Sequence, residues 1–163
     1  MRRLLIAVLL AASTLLAPFA ASPILAATIP PSHAQFVARV IELVNVERQN
    51  AGLPPLTANE PLTRASQGYA IVLADGTCFG HACGSTLVDR PLQAGYTGWL
   101  ALGENIAAGQ TTPEAVMAAW MASPGHRDNI LGNYKDIGVG LAADATGRIF
   151  WVQDFGRSQT LPS

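Results

Sequence analysis

The sequence predicts an α+β domain in which helices cover a small β-sheet. Apolar residues recur at helical spacing through the first half of the chain, after residue 32. Near the C-terminus the period changes to two, and a turn separates two apolar stretches as in a β-hairpin. Helices followed by a closing hairpin indicate a layered domain with the helices packed on the sheet.

The first two predicted helices have clear boundary residues. One covers residues 33–50, with Ser32 as its N-cap and Gly52 suited to the left-handed turn beyond its end. The other covers about residues 61–74 and has Asn59 as its N-cap. The apolar face of the first contains Phe36, Val37, Val40, Ile41 and Val44, and that of the second contains Leu62, Ala65, Tyr69, Val72 and Leu73.

The middle of the chain predicts shorter elements. Residues 85–94 favour a short helix closed by Gly95, and residues 103–107 favour a strand. Thr112 followed by Pro113 is a strong start for a further helix, which ends before residue 124. A single helical turn is expected around residues 127–131. Trp99 is expected in an exposed loop, whereas Trp120, Phe150 and Trp151 are expected in the core.

The last two elements are predicted strands. Ile137, Val139 and Leu141 alternate with small residues, which is the pattern of a strand with two different faces. Residues 144–147 read as a turn, and residues 148–155 are rich in aromatic and β-branched side chains. The two segments therefore predict an antiparallel hairpin.

The N-terminus has the layout of a secretory signal peptide. Arg2 and Arg3 precede an apolar run, and small residues follow it. The run is short for a membrane-spanning helix, which needs roughly 20 apolar residues. We therefore expect a signal peptide at residues 1–27, a linker at 28–35, one domain at 36–157 and a tail at 158–163, although an uncleaved anchor is the alternative. The protein is expected to be secreted, with no membrane span after cleavage.

Composition limits the partners. Cleavage removes two of ten basic residues and leaves all eleven acids, so the mature chain of about 135 residues carries a formal charge of −3. Nucleic-acid binding requires a basic face, which this charge argues against. The expected partner is a small molecule, a lipid or a component of the cell envelope, and we expect a monomer.

Two cysteines, Cys78 and Cys83, flank His81 in a short loop. In an exported chain an even pair of cysteines favours a disulfide. The alternative is a metal clip in which both thiolates and His81 bind one ion. Two cysteines are too few for a cysteine-rich zinc module of their own.

Three glycine-containing segments carry the candidate site. They contain His81, Glu104 and His126, with Asn105 and Ser123 as further cleft residues. Two imidazoles and a carboxylate could bind a divalent metal, transfer protons or order neighbouring loops. The separations of 23 and 22 residues do not choose among these roles.

The sequence resembles the CAP superfamily, which contains cysteine-rich secretory proteins, antigen 5 and plant pathogenesis-related proteins. The resemblance is to the bacterial branch of SCP-like extracellular proteins and covers residues 36–157. The matching motifs include Phe79-Gly80-His81, Ile137-Gly138-Val139-Gly140 and Trp151-Val152-Gln153. The strongest are Gly103-Glu104-Asn105-Ile106-Ala107 and Ala119-Trp120-Met121-Ala122-Ser123-Pro124-Gly125-His126-Arg127.

The resemblance implies a three-layer α-β-α sandwich, with helices on both faces of a small antiparallel sheet. Family members with the full set have two histidines and two glutamates in a central cleft, where some bind a divalent cation, often zinc. Position by position, His81 and His126 match the histidines and Glu104 matches the first glutamate. Ser123 stands where the second glutamate would be, which puts catalysis by a pair of glutamates in doubt.

Three functions follow from these residues. The first is binding of a divalent cation, most simply zinc, or of a small ligand through His81 and His126. The second is a non-catalytic extracellular module for a lipid or an envelope component. The third is metal-assisted hydrolysis of an unidentified substrate with Glu104 as the base. Whether the domain is an enzyme stays open, with binding favoured, and no organic cofactor is expected.

Overall fold

The computed structural model describes residues 32–159, and in this range the chain forms five helices and four strands. The helices are α1 (His33–Asn50), α2 (Glu60–Ala74), α3 (Asp89–Gln93), α4 (Pro113–Ala122) and α5 (Pro124–Ile130). The strands are β1 (Thr57–Ala58), β2 (Trp99–Ala108), β3 (Asp136–Ala143) and β4 (Ile149–Ser158). The predicted signal peptide, the first half of the linker and the last four residues lie outside the described range.

The four strands form one sheet in the order β1-β3-β4-β2. β4 pairs antiparallel with both β2 and β3, as the hairpin pattern predicts. β1 was not predicted, and it pairs parallel with β3 at the edge of the sheet. Its two residues are held because Thr57 N–H donates to Lys135 O at 2.8 Å and Asn59 N–H donates to Ile137 O at 2.9 Å. The sheet is therefore mixed, and its three longer strands are antiparallel.

Helices cover both faces of the sheet, which confirms the three-layer sandwich. On one face, side chains of α1, α4 and α5 pack on Ile137, Val139 and Leu141 of β3 and on Trp151 and Phe155 of β4. On the other face, α2 packs on Ile106, Phe150 and Val152. The alternation in β3 explains this arrangement, because its odd-numbered residues point into the first layer and its glycines face α2.

Close approach of α2 to β3 requires glycine at two positions. A Cβ atom on Gly138 would lie 2.2 Å from the backbone carbon of Leu62, and one on Gly140 would lie 2.3 Å from the backbone nitrogen of Gln67. Any larger residue would therefore push the helix away from the sheet. The small residues in the β3 sequence let the helix backbone approach the strand closely.

The predicted caps are present. Asn59 Oδ1 accepts a hydrogen bond from Leu62 N–H at 3.1 Å, and Thr112 Oγ1 accepts one from Ala115 N–H at 3.1 Å. These side chains satisfy backbone donors that the first helical turn leaves unpaired. The starts of α2 and α4 therefore follow from local sequence.

Several boundaries differ from the prediction. α3 begins at Asp89 rather than residue 85, because Asp89 Oδ2 accepts hydrogen bonds from Thr86 and forms a turn there. α5 begins at Pro124 and not near residue 127, with Pro in its first turn. Residues 33–35 of the predicted linker belong to α1, and Ser158 of the predicted tail belongs to β4.

The prediction of an exposed loop at Trp99 is wrong. Trp99 is half-buried at the first position of β2, where it pairs with Ser158. β2 pairs with β4 over residues 99–108, whereas the sequence predicted a strand only at residues 103–107. Trp120, Phe150 and Trp151 are buried in the core as predicted.

The free edge of β2 is covered by side chains from α4, from α5 and from the segment between α5 and β3. The carbonyls of Leu102, Glu104 and Ile106 point away from β4. They accept hydrogen bonds from the Tyr134 hydroxyl at 3.4 Å, the Asn129 amide at 3.0 Å and the Trp120 indole at 3.3 Å, respectively. Such covering protects an edge strand from pairing with another chain. None of the helices described is long and apolar enough to cross a membrane.

Candidate functional site

The loop that carries His81 is closed by a disulfide between Cys78 and Cys83, as predicted. This bond uses both cysteines, so the alternative metal clip does not form. Tyr69 of α2 ties the loop to the helix layer, because its hydroxyl donates to Gly80 O and accepts a hydrogen bond from Cys83 N–H at 2.9 Å. The short loop is therefore anchored on both sides of His81.

His81 and Glu104 are in direct contact. His81 Nδ1 lies 2.8 Å from Glu104 Oε1. The imidazole side chain is 57% exposed, whereas the carboxylate side chain is 1% exposed. The pair therefore joins a solvent-facing ring to a buried acceptor, which orients the ring and leaves Nε2 directed away from the bond.

Arg90 of α3 neutralises the charge of Glu104. Its guanidinium forms a buried ion pair with Glu104 Oε2. It also donates to Ser85 O at 2.7 Å and lies 3.4 Å from the centroid of the Tyr69 ring. Arg90 therefore connects the His81 loop, α2 and β2. As a candidate for the polar site, Arg90 is absent from the sequence predictions.

A second carboxyl group lies beside Glu104. Asp154 of β4 is directly opposite Glu104 in the strand register, and its side chain is buried. Ser66 Oγ donates to Asp154 Oδ2 at 2.8 Å. Burial, with the charge of Glu104 adding to it, raises the pKa of Asp154 to about 7. The cluster therefore contains two buried carboxyl groups and one buried arginine.

His126 is positioned by residues beneath it. The side-chain amide of Asn105, which is fully buried, donates to His126 O at 3.0 Å and to Gln153 Oε1 at 3.1 Å. Asn129 Nδ2 donates in turn to Asn105 Oδ1 at 2.9 Å. Asn105 thus fixes the backbone of α5 to the sheet. Burial, together with the charge of nearby His81, lowers the pKa of His126, which favours a neutral imidazole.

A cleft adjoins His126 between α4 and β2, and we call it the α4 pocket. It has a volume of about 280 Å³. Its lining consists of Phe79, Ile106, Ala107, Ala108, Gln110, Ala119, Trp120, Ser123, His126 and Arg148. Ser123 terminates α4 and contributes to the same wall as His126.

The donor set is compatible with a two-ligand metal site. A ligating histidine commonly donates its other ring N–H to a carboxylate, as His81 does to Glu104 when Nδ1 carries the proton. In residues 32–159 no group of three or more His, Cys, Asp and Glu side chains is placed to hold a metal ion. The protein would therefore supply two imidazole ligands, and solvent or a bound molecule would complete the coordination.

The structure brings together most of the residues singled out from the sequence. His81 contacts Glu104, His126 lies near His81, and Ser123 shares a wall of the α4 pocket with His126. Asp154 was missed, although the sequence contains a signal for it. Gln153 and Asp154 are consecutive polar residues inside the otherwise apolar segment 149–155 of β4, and such residues are buried only with partners.

Comparison with known proteins gives the same family as the motifs. Residues 41–155 match the Cysteine-rich secretory protein family, CAP. Protein YkwD of Bacillus subtilis (strain 168) is 38% identical over 130 residues, which cover 77% of this chain and 49% of YkwD. The chain therefore spans about half the length of this relative.

Solved structures share the fold. A crystal structure of an extracellular protein containing a SCP domain from Bacillus anthracis str. Ames matches with a TM-score of 0.68 and 28% identity, over 80% of this chain and 45% of that one. An outer surface protein from Borrelia burgdorferi matches with a TM-score of 0.68 and 21% identity, over 74% of this chain and 90% of that one. The second similarity concerns the fold alone.

Proposed function

Because this chain belongs to the Cysteine-rich secretory protein (CAP) family, we propose that it is an exported domain whose cleft binds a divalent cation through His81 and His126. Zinc is the cation that two neutral imidazoles suit best among the common divalent ions, since Zn²⁺ accepts nitrogen ligands in a tetrahedral arrangement. Two positions remain for solvent or a bound ligand.

The observation that carries this proposal is the hydrogen bond between His81 Nδ1 and Glu104 Oε1. It selects the ring orientation and leaves Nε2 as the metal-binding atom. Glu104 cannot turn freely, because its other oxygen is paired with buried Arg90. The carboxylate therefore orients the His81 imidazole through a hydrogen bond and does not reach a substrate.

This arrangement favours binding over hydrolysis. A general base needs an oxygen within hydrogen-bond reach of the attacking water. Both oxygens of Glu104 are already engaged, and Ser123 replaces the second glutamate of the family pattern. We therefore propose a binding domain, with Glu104 as a positioning residue for His81.

Calorimetric titration of the mature protein with zinc tests the proposal. The wild-type protein is expected to bind one equivalent, and His81→Ala and His126→Ala are each expected to lose most of the binding heat. His33→Ala is the matched control, because His33 is exposed at the first position of α1 and is not among the residues that line the α4 pocket. Unchanged zinc binding in the double His81→Ala, His126→Ala variant would overturn the proposal.

Export is supported by the predicted signal peptide at residues 1–27 and by the disulfide, which is a bond typical of oxidising compartments. Expression of the full chain in a bacterium with an export pathway tests it. The expected result is protein in the medium or cell envelope whose N-terminal sequence begins near residue 28. Retention of the intact N-terminus in the cytoplasm would contradict export.

A further inference from the structure

The α4 pocket has chemistry that cation binding does not use. Its lining includes the apolar residues Ala107, Ala119 and Trp120. Phe79 forms a rim and is 55% exposed, which is unusual for so large an apolar side chain. An apolar body lying on this surface would remove Phe79 from water.

Arg148 places a positive charge at the same pocket. Arg148 is exposed, and its side chain takes part in none of the ion pairs formed within residues 32–159. Its guanidinium carbon lies 5.4 Å from the centroid of the Phe150 ring, a contact that leaves the N–H donors unused. The neighbouring carboxylate of Asp144 accepts through Oδ1 from the backbone N–H groups of Thr146 and Arg148 in the β3–β4 turn, and it attracts the guanidinium without forming an ion pair with it. The guanidinium is therefore available to an anionic group.

Gln110 adds an unused acceptor to the lining of the same pocket. Its side-chain oxygen Oε1 is buried and has no hydrogen-bond donor among the described residues. Its backbone is held in place, because the Trp151 indole donates to Gln110 O at 2.8 Å. Arg148 lies beside the residue that precedes Gln110, because a Cβ placed on Gly109 would lie 3.8 Å from Arg148 Nε, and both Gln110 and Arg148 line the α4 pocket. A buried acceptor without a donor is costly, and a ligand N–H would satisfy it.

We propose that the α4 pocket binds the C-terminal residue of a peptide with an apolar last side chain. Such a residue carries an amide N–H and a carboxylate on the same Cα, which match the Gln110 Oε1 acceptor and the Arg148 guanidinium of one pocket. Its apolar side chain lies against Phe79 and the lining alanines Ala107 and Ala119. A charge-assisted bond from arginine to a carboxylate provides orientation as well as affinity.

This inference extends the proposed function, and it rests on that function only in placing the peptide beside the proposed cation at His126. The peptide contacts come from other residues and need no metal. Peptide binding is therefore measured in the presence of a chelator that removes divalent cations. A failure of zinc binding and a failure of peptide binding are then separate results.

The test is an NMR titration of ¹⁵N-labelled mature protein with acetyl-Ala-Phe. The free acid is expected to shift the backbone amides of Gly109 and Ala119 saturably. The same peptide with a C-terminal amide is expected to bind at least roughly tenfold more weakly, because it lacks the charge-assisted bond. In Arg148→Gln the acid is expected to bind as weakly as the amide. The matched control is Arg127→Gln, which removes an exposed arginine from α5 and leaves the preference intact.

Two further arms make the outcome decisive. Arg148→Lys keeps a positive charge and is expected to retain part of the preference for the acid. The probe 3-phenylpropanoate has a carboxylate and an apolar body but no amide N–H, and is expected to bind more weakly than the peptide. Equal binding of this probe would overturn the peptide assignment in favour of a lipid-like acid. Absence of saturable shifts, or equal binding of acid and amide to the wild type, would overturn the site.

Discussion

Arg90 is the residue that joins the separate parts of the polar cluster. It pairs with Glu104, donates to the loop that carries His81 and stacks on Tyr69. Its burial makes the ion pair different from the surface pairs of this protein, because each ion has given up water and depends on the other. The orientation of His81 is therefore set through Glu104 by a residue that does not reach the cleft.

Replacement of Arg90 by Gln is expected to lower the free energy of unfolding by about 3–5 kcal/mol, because it leaves the buried Glu104 carboxylate without its cation. Urea unfolding at neutral pH measures this loss. Arg39→Gln is the control, since Arg39 forms solvent-exposed ion pairs with Glu42 and Glu114 and its loss is expected to be much smaller. Equal losses in the two variants would contradict the role given to Arg90.

Asp154 predicts an unusual pH dependence of stability. In the unfolded chain it ionises near its ordinary pKa of 3.8, whereas in the folded protein the pKa is raised to about 7. Between these values the folded state binds more protons, so its free energy of unfolding falls as the pH rises through this window. Above pH 7 the contribution stays constant at its unfavourable value.

Asp154→Asn is expected to remove this slope between pH 4 and 7 and to make the protein more stable than wild type at pH 8. The amide oxygen can still accept from Ser66, while the amide nitrogen can donate to Glu104. Urea unfolding across the pH range measures both effects. Asp128→Asn, which removes an exposed acid from α5, controls for the change in net charge. A slope identical to that of wild type would show that Asp154 does not hold a proton.

At the scale of elements, the contact between α2 and β3 positions the whole second layer. Gly138→Ala is expected to destabilise the protein by about 3 kcal/mol, because the added Cβ would lie 2.2 Å from the backbone of Leu62 and the helix must move. Displacement of α2 also moves Ser66 and Tyr69, which support the site. Thermal unfolding followed by circular dichroism measures the effect.

Gly68→Ala tests the same helix without the clash. Gly68 is exposed on α2, and an added Cβ would meet nothing within 4 Å. Alanine favours the helix over glycine, so this variant is expected to gain about 0.5–1 kcal/mol. A similar loss in both variants would contradict the role given to close packing of α2 on β3.

At the scale of the whole molecule, the two layers of helices share one sheet. β4 contributes Trp151 and Phe155 to one hydrophobic cluster and Phe150 and Val152 to the other. Loss of β4 would therefore disrupt both clusters together. We expect a chain starting at residue 28 to unfold in one cooperative transition, with coincident midpoints by tryptophan fluorescence and far-ultraviolet circular dichroism. Two separated midpoints would show that the layers are independent.

Prediction from sequence succeeded where the determinants are local. The caps at Asn59 and Thr112 satisfy helix donors three residues ahead, and the turn at residues 144–147 joins strands adjacent in the chain. It failed at β1 and Trp99, because both owe their conformation to pairing with distant strands. A two-residue strand has no periodicity of its own from which it could be recognised.

Local patterns in the sequence specify the order of the main helices and strands, the family, and the set of residues from which the site is drawn. Periodicity, capping residues and ordered motifs can be recognised along the chain without knowledge of any contact. Long-range packing places Glu104 opposite Asp154 and beside Arg90, and places Gln110 and Arg148 at the same pocket as His126. These relations depend on strand register and helix approach, which bring together side chains far apart in sequence.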